Sequence, residues 1–253
     1  WDWHNQLFQV AAEEGLVCFS SPFDKTAVDF LESLNTPAYK IASFEITDIP
    51  LIEYVASMGK PIILSTGIAT KQDIELALDA CRRMGNNDIA LLKCTSSYPS
   101  PIEEANICMI EDFARKYNVI VGLSDHTIGS TVPIVATSFG AKIIEKHFIL
   151  DRSIGGADAS FSMNELEFSG MVKSVREAES AIGRVSYRLT EKQIKGRECS
   201  RSLYVVEDIK IGEKFTEGNI RSIRPGFGMH PKFYNEMLGK KSKTNFTKGD
   251  RLS

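Results

Sequence analysis

The chain has 253 residues, with 30 Lys+Arg against 33 Asp+Glu, a formal net charge of −3 and 43% hydrophobic residues. That length holds one large domain, alone or with a small companion, and neither a basic excess for nucleic acid nor a charge block typical of a disordered tail is present. No apolar run reaches the length of a membrane span, no signal peptide is visible, and five cysteines without paired spacing fit a reducing cytoplasm.

The chain opens on Trp1, and residues 5–14 (NQLFQVAAEE) read as a helix already under way, so we expect residues upstream of it. Six strand-like runs follow: Leu16–Ser21, Ala38–Phe44, Pro61–Thr66, Ile89–Thr95, Val119–Ser124 and Ala141–Phe148. Helical patterns separate them: Lys25–Leu34, Ile49–Met58, Lys71–Met84, Ile102–Tyr117 and Ser130–Phe139. Strand alternating with helix predicts a parallel α/β sheet with right-handed crossovers. Cys18 and Cys94 fall in strands and read as buried thiols.

Two architectures compete. A doubly wound sheet usually carries a glycine-rich phosphate loop after its first strand, and neither GxGxxG nor GxxxxGK occurs. A (β/α)8 TIM barrel instead gathers polar side chains at the carboxyl ends of many strands. Here all six strands end that way, in Ser20-Ser21, Ser43/Glu45, Ser65-Thr66, Thr95-Ser96-Ser97, Ser124/His126 and Glu145/His147. Any single serine there is as readily a helix cap; the recurrence favours the barrel. Six strands do not close a barrel, so two βα units are expected to precede the chain.

After residues 1–183, Arg184–Glu198 reads as a charged linker with some helix. Residues 199–253 change character. Short β-like pieces (Ser202–Val206, Ile220–Ile223) alternate with turns at Lys210–Glu213, Pro225–Gly228 and Lys248–Asp250, and IKIGEKFT is faintly echoed in FTKGDRLS. This is a small, turn-rich second domain.

His126 and His147 stand 21 residues apart, about one αβ repeat, each at the carboxyl end of an apolar strand. Neighbouring strands lie about 4.8 Å apart, so both imidazoles can hold one metal ion with positions left open for substrate or water. A lone histidine is more often structural; two in equivalent repeat positions favour ligands. Strand parity puts Ser124 with His126 and Glu145 with His147 on one face. Lys40, Ser43, Ser65, Thr66 and Ser124 offer a cation and hydroxyls that suit a phosphate or carboxylate, against the bland reading of capped strand ends and a solvated lysine. Lys40 and Ser43 differ in parity, so both face the barrel mouth only if the strand ends in a bulge or turn. Glu45 and Asp158 are candidate acid/base or hydroxyl-binding groups, or else a surface carboxylate and a turn former in SIGGADAS.

YKIASFEI, PIILSTG, KCTSSYPSP, GLSDHT and EKHFILD, in this order, resemble the sialic acid synthase family, whose enzymes condense phosphoenolpyruvate with an amino-sugar aldehyde to make nine-carbon acids. RSLYVVEDIKIGE and NIRSIRPGFGMHPK resemble the family's carboxyl-terminal SAF domain, the relative of type III antifreeze proteins. KHFILDRSIGGADASFS and IRPGFGMHPK look most like the pseudaminic acid branch, with the neuraminate and legionaminate branches as alternatives.

By position, the resemblance implies that His126 and His147 bind a divalent metal, manganese first, with magnesium or cobalt as alternatives. It implies that Lys40, Ser43, Ser65 and Ser124 grip phosphoenolpyruvate, and that Glu45, Tyr98 and Asp158 are sugar-facing or catalytic. Ser96, in TSSYP, stands where neuraminate synthases often carry asparagine, and counts among the substrate-binding positions. Arg224 matches an arginine that reaches the other subunit's site in a domain-swapped homodimer. Without its upstream strands the chain is not expected to be active alone. Two rivals remain: a metal-dependent aldolase or hydrolase, and a non-catalytic module with an antifreeze-like domain.

Overall fold

The computed structural model describes residues 1–253, which fall into two compact units, Trp1–Gly183 and Arg184–Ser253. No helix is long and apolar enough to cross a membrane.

The first unit opens with helix α1 (His4–Glu13) and α2 (Lys25–Ser33), the latter started by the Asp24 carboxylate, which accepts from Ala27 N at 2.9 Å. The repeats then run β1 (Tyr39–Ile41), α3 (Ile49–Ser57), β2 (Ile62–Ser65), α4 (Lys71–Arg83), β3 (Ile89–Cys94), α5 (Cys108–Tyr117), β4 (Ile120–Asp125), α6 (Thr131–Ser138), β5 (Ile143–Lys146) and α7 (Glu165–Ile182). All five strands are parallel, in the order β1-β2-β3-β4-β5. Ile41, Leu64, Leu91 and Val121 are register partners across four strands. They are buried against Ile52 of α3, Leu78 of α4 and Ile110 of α5. That row defines the outer, helix-covered face; by strand alternation Lys40, Ser65, Cys94, Ser124 and Glu145 belong to the inner face.

The sheet is an arc of a barrel. Lys40 on β1 and Glu145 on β5 lie 3.5 Å apart, although a flat sheet would put those strands about 19 Å apart at about 4.8 Å per step. Only curling across the inner face brings them together. Gly122 helps: a Cβ there would meet Ile143 O at 2.4 Å and a Leu92 methyl at 2.6 Å, so glycine lets β4 sit tight inside the curve.

Several expected elements change. Leu16–Ser21 is not a strand: Ser20 alone bridges Tyr39, and Leu16 and Val17 are exposed. With Leu16, Val17 and Phe19 exposed, the segment gains little burial from pairing beyond that single bridge. Cys18 is accordingly half-buried, whereas Cys81 and Cys94 are buried; all five cysteines are free thiols. The helix expected over 102–117 starts as a 3-10 turn at Ile102–Glu104 and is broken at Asn106, whose φ is 43°. Helix α7 was not expected at all, although Asn164 and Glu167 form a capping box at its start. The strand expected to reach Phe44 stops at Ile41, and a 3-10 turn over Ser43–Glu45 follows.

In the second unit a short helix α8 (Glu191–Gly196) occupies the expected linker. Strands β6 (Ser202–Val205) and β7 (Ile220–Ile223) pair antiparallel, and α9 spans Tyr234–Met237. Leu203, Val205, Ile209, Phe215, Ile220 and Leu252 form its core. The turn after β7 is held by Ser202, whose hydroxyl donates to Pro225 O at 2.7 Å and accepts from Gly228 N at 2.9 Å. Arg224 is exposed and makes no ion pair or side-chain hydrogen bond within this unit.

Candidate active site

The carboxyl ends of β1 to β5 bring most of the expected residues to one concave face. His126 follows β4 and His147 follows β5, and their ring centroids are 5.1 Å apart. A metal about 2.1 Å from a ring nitrogen lies roughly 3 Å from the ring centre, so rings at this spacing can share one ion. His126 is buried, and its Nδ1 lies 3.0 Å from the Thr95 carbonyl. As donor to that carbonyl Nδ1 carries the proton, leaving Nε2 as the nitrogen with a free lone pair. Burial works to lower the His126 pKa, but the neighbouring Cys94 sulfur and the Thr95 carbonyl outweigh it and hold it above the usual histidine value. His147 is lowered instead, by burial and by the charge of His126 beside it. The nearest carboxylate to its ring is Asp158, with Oδ2 3.5 Å from Nδ1. The pair fits a divalent ion that keeps open positions; no group of three or more His, Cys, Asp or Glu converges anywhere in the chain to enclose one.

Tyr98 lies over the histidines, its ring 4.3 Å from that of His126 and 6.3 Å from that of His147. Phe161 backs the cluster 5.0 Å from the His147 ring and is buried. Sequence reasoning did not single out Phe161: it lies inside the quoted KHFILDRSIGGADASFS stretch, but no periodicity marks it there.

Beside the histidines lies the polar cluster. The Lys40 ammonium is buried, 3.5 Å from Glu145 Oε1, and Ser124 Oγ donates to the same oxygen at 2.6 Å. Glu145 therefore joins Lys40 and Ser124 across the arc; it was absent from the expected site, although its shared face with His147 was the signal that could have placed it there. The 3-10 turn over Ser43–Glu45 resolves the parity conflict between Lys40 and Ser43. Ser43 Oγ accepts from Gly67 N at 3.0 Å. A Cβ at Gly67 would lie 2.0 Å from Ser96 Oγ and 2.7 Å from Ser43 Oγ, so glycine is what allows this close packing.

Three buried polar atoms here have no partner: Ser65 Oγ, Ser96 Oγ and Glu45 Oε2. Leaving such a group unsatisfied costs about 1–3 kcal/mol, so a trio at one strand-end surface marks a place for a polar ligand. Thr66 does not join it. Its hydroxyl donates to Leu92 O at 3.0 Å, because the residue after Ser65 takes the opposite parity. Arg224 belongs to the second unit, whose own contacts give it no role.

A family model described as the NeuB family matches residues 1–187, and a SAF domain model matches residues 200–253. The chain belongs to the NeuB family. It is 48% identical over 252 residues to a pseudaminic acid synthase of Campylobacter jejuni subsp. jejuni serotype O:2, covering 100% of the chain and 74% of that relative. It is 50% identical over 242 residues to the pseudaminic acid synthase of Helicobacter pylori, covering 95% of the chain and 71% of the relative. Among solved structures, the spore coat polysaccharide biosynthesis protein SpsE of Bacillus subtilis superposes with a TM-score of 0.70 at 32% identity, covering 100% of the chain and 76% of that structure.

Proposed function

We propose that the chain is a pseudaminic acid synthase, condensing phosphoenolpyruvate with 2,4-diacetamido-2,4,6-trideoxy-L-altrose to give pseudaminic acid and phosphate. The observation that carries this reading is the identity of about half with two curated pseudaminic acid synthases along nearly the whole chain. The geometry agrees in kind: a buried cation, a hydroxyl cluster and paired imidazoles share one strand-end surface.

In this reading Lys40, Ser43, Ser65, Ser96 and Ser124 hold the phosphate and carboxylate of phosphoenolpyruvate, and the unpartnered Ser65 and Ser96 hydroxyls gain the partners they lack. Charge-assisted bonds in a water-poor site orient carbon 3 toward the aldehyde. Carbon 3 attacks the aldehyde carbon, water adds at carbon 2, and phosphate leaves by carbon–oxygen cleavage. Glu45, with one oxygen free, handles a proton; Asp158 and Tyr98 hold the sugar. His126 and His147 would hold a divalent ion, manganese first, then magnesium or cobalt, which would supply Lewis-acid polarisation of the aldehyde oxygen.

We also assign Arg224 to the partner subunit's sugar site in a swapped homodimer in the cytoplasm, on the resemblance of its Arg-Pro-Gly turn. Mixing an inactive His126→Ala/His147→Ala protein with an inactive Arg224→Ala protein then restores activity; a fully active Arg224→Ala homodimer removes this role. The main test is a panel of amino-sugar aldehydes with phosphoenolpyruvate, with the nine-carbon product weighed by mass spectrometry. The diacetamido L-altro sugar is expected to react best. Preference for N-acetylmannosamine or a legionaminate precursor overturns the assignment, and phosphate release without sugar would point to a hydrolase.

A further inference from the structure

Two cross-strand pairs precede the two histidines, one by two residues and the next by one, on opposite faces of the same strands. Ser124 and Glu145 are register partners on the inner face and belong to the substrate cluster. Asp125 and Lys146 are the next partners, and alternation turns them to the outer face. Their ion pair is 2.6 Å long, with side chains only 2% and 1% exposed.

The remaining bonds of this outer pair all converge on Thr127. Asp125 Oδ1 accepts from Thr127 N at 3.0 Å and Oδ2 accepts from Thr127 Oγ1 at 3.0 Å. The Lys146 ammonium donates to the Thr127 carbonyl as well. Residues 125 and 127 bracket His126, and residue 146 precedes His147. One ion pair thus fixes the backbone on both sides of one imidazole and immediately before the other. A buried ion pair is a poor source of net stability, since apolar residues of the same volume do as well; what it supplies is a fixed geometry.

We propose that Asp125 and Lys146 form a clamp that sets the spacing of His126 and His147, acting as positioning residues that touch neither substrate nor metal. The proposal rests on the reading of the histidines as metal ligands. The two rings are not equally dependent on it. His126 has a second anchor in the Thr95 carbonyl at 3.0 Å, whereas the Asp158 carboxylate stands 3.5 Å from the His147 ring. Loss of the clamp therefore loosens His147 more.

The test is Mn2+ binding to the intact, substrate-free enzyme, followed by electron paramagnetic resonance, in Lys146→Met, Asp125→Asn and the neutral double variant Asp125→Asn/Lys146→Gln. The double variant leaves no unpaired buried charge and keeps a folded comparison if a single variant does not fold. A weakening of 10- to 100-fold is expected, the range seen when groups that orient metal ligands are lost. A merely structural pair would lower the melting temperature and leave the Mn2+ affinity of the folded protein unchanged, and that result overturns the clamp. Nitrogen-15 spectra of the metal-free histidine rings give a second readout, with the His147 signals broadening in the variants while the His126 Nδ1 proton persists. If the parent itself binds no Mn2+, the metal reading falls and the ring spectra decide the clamp: unchanged ring signals reject it.

Discussion

The two ends of the site are prepared in opposite ways. At the histidine end, His126 is tied to the Thr95 carbonyl, and Asp125 to Lys146 and Thr127, before any ligand arrives. At the anion end, the Ser65 and Ser96 hydroxyls are buried without partners. The first arrangement fixes geometry in advance, which is what a small ion with strict bond lengths requires. The second leaves binding capacity unspent, at a cost of about 1–3 kcal/mol per unsatisfied group in the free protein, so a ligand with several acceptor oxygens recovers that cost on binding. One end should therefore respond to mutation through chemistry, and the other through affinity for one substrate.

The largest effect is expected at the histidine end. His126→Ala/His147→Ala should abolish condensation, beyond the 10- to 100-fold that loss of an orienting group causes. The parent, stripped with a chelator, should lose activity and regain it with Mn2+, while His4→Ala, a change on the exposed first helix, behaves as the parent. Full activity in the double alanine variant would erase the distinction between the two ends.

The histidine end was legible in sequence for a physical reason. Strand parity and a repeat-length spacing are local facts, and they fix which face His126 and His147 share. Lys40 and Ser43 were legible as a conflict that a bulge or a turn could resolve, and the Ser43–Glu45 turn is that resolution. Glu145 was harder. Its importance comes from curvature, which brings its carboxylate on β5 to within 3.5 Å of the Lys40 ammonium from β1, and curvature is a property of the whole sheet. Thr66 misled because it neighbours Ser65 in sequence but takes the opposite face. Leu16–Ser21 misled because composition reports β propensity, whereas a strand also needs neighbours. Helix α7 escaped because it buries little, Met171 alone among its residues, so its apolar periodicity is weak.

The second effect tests the anion end through its charge. Lys40→Met keeps the aliphatic stem and removes the ammonium. A hydrogen bond to a charged group is worth about 1.5–3 kcal/mol, which corresponds to a rise of about 13- to 160-fold in KM for phosphoenolpyruvate. The KM for the sugar should change much less. Small, equal changes for both substrates would make Lys40 a strand-end residue whose role is its contact with Glu145.

The smallest effect is the one that separates bonded from unbonded hydroxyls. Ser65→Ala removes a buried oxygen with no partner, so the free protein should be unchanged or up to about 1 kcal/mol more stable. Ser43→Ala removes the acceptor of the Gly67 N–H and should cost about 0.5–1.5 kcal/mol of stability. Both should raise KM for phosphoenolpyruvate by about 2- to 12-fold, the equivalent of one neutral hydrogen bond. Thermal melts and steady-state kinetics on the two variants therefore move together for Ser43 and apart for Ser65. That divergence follows from leaving a hydroxyl free for ligand, since a group serving only the fold cannot be removed at a gain in stability and a loss in affinity. If Ser65→Ala instead destabilises the protein and leaves KM unchanged, Ser65 serves the fold, and the contrast between the two ends loses its anion side.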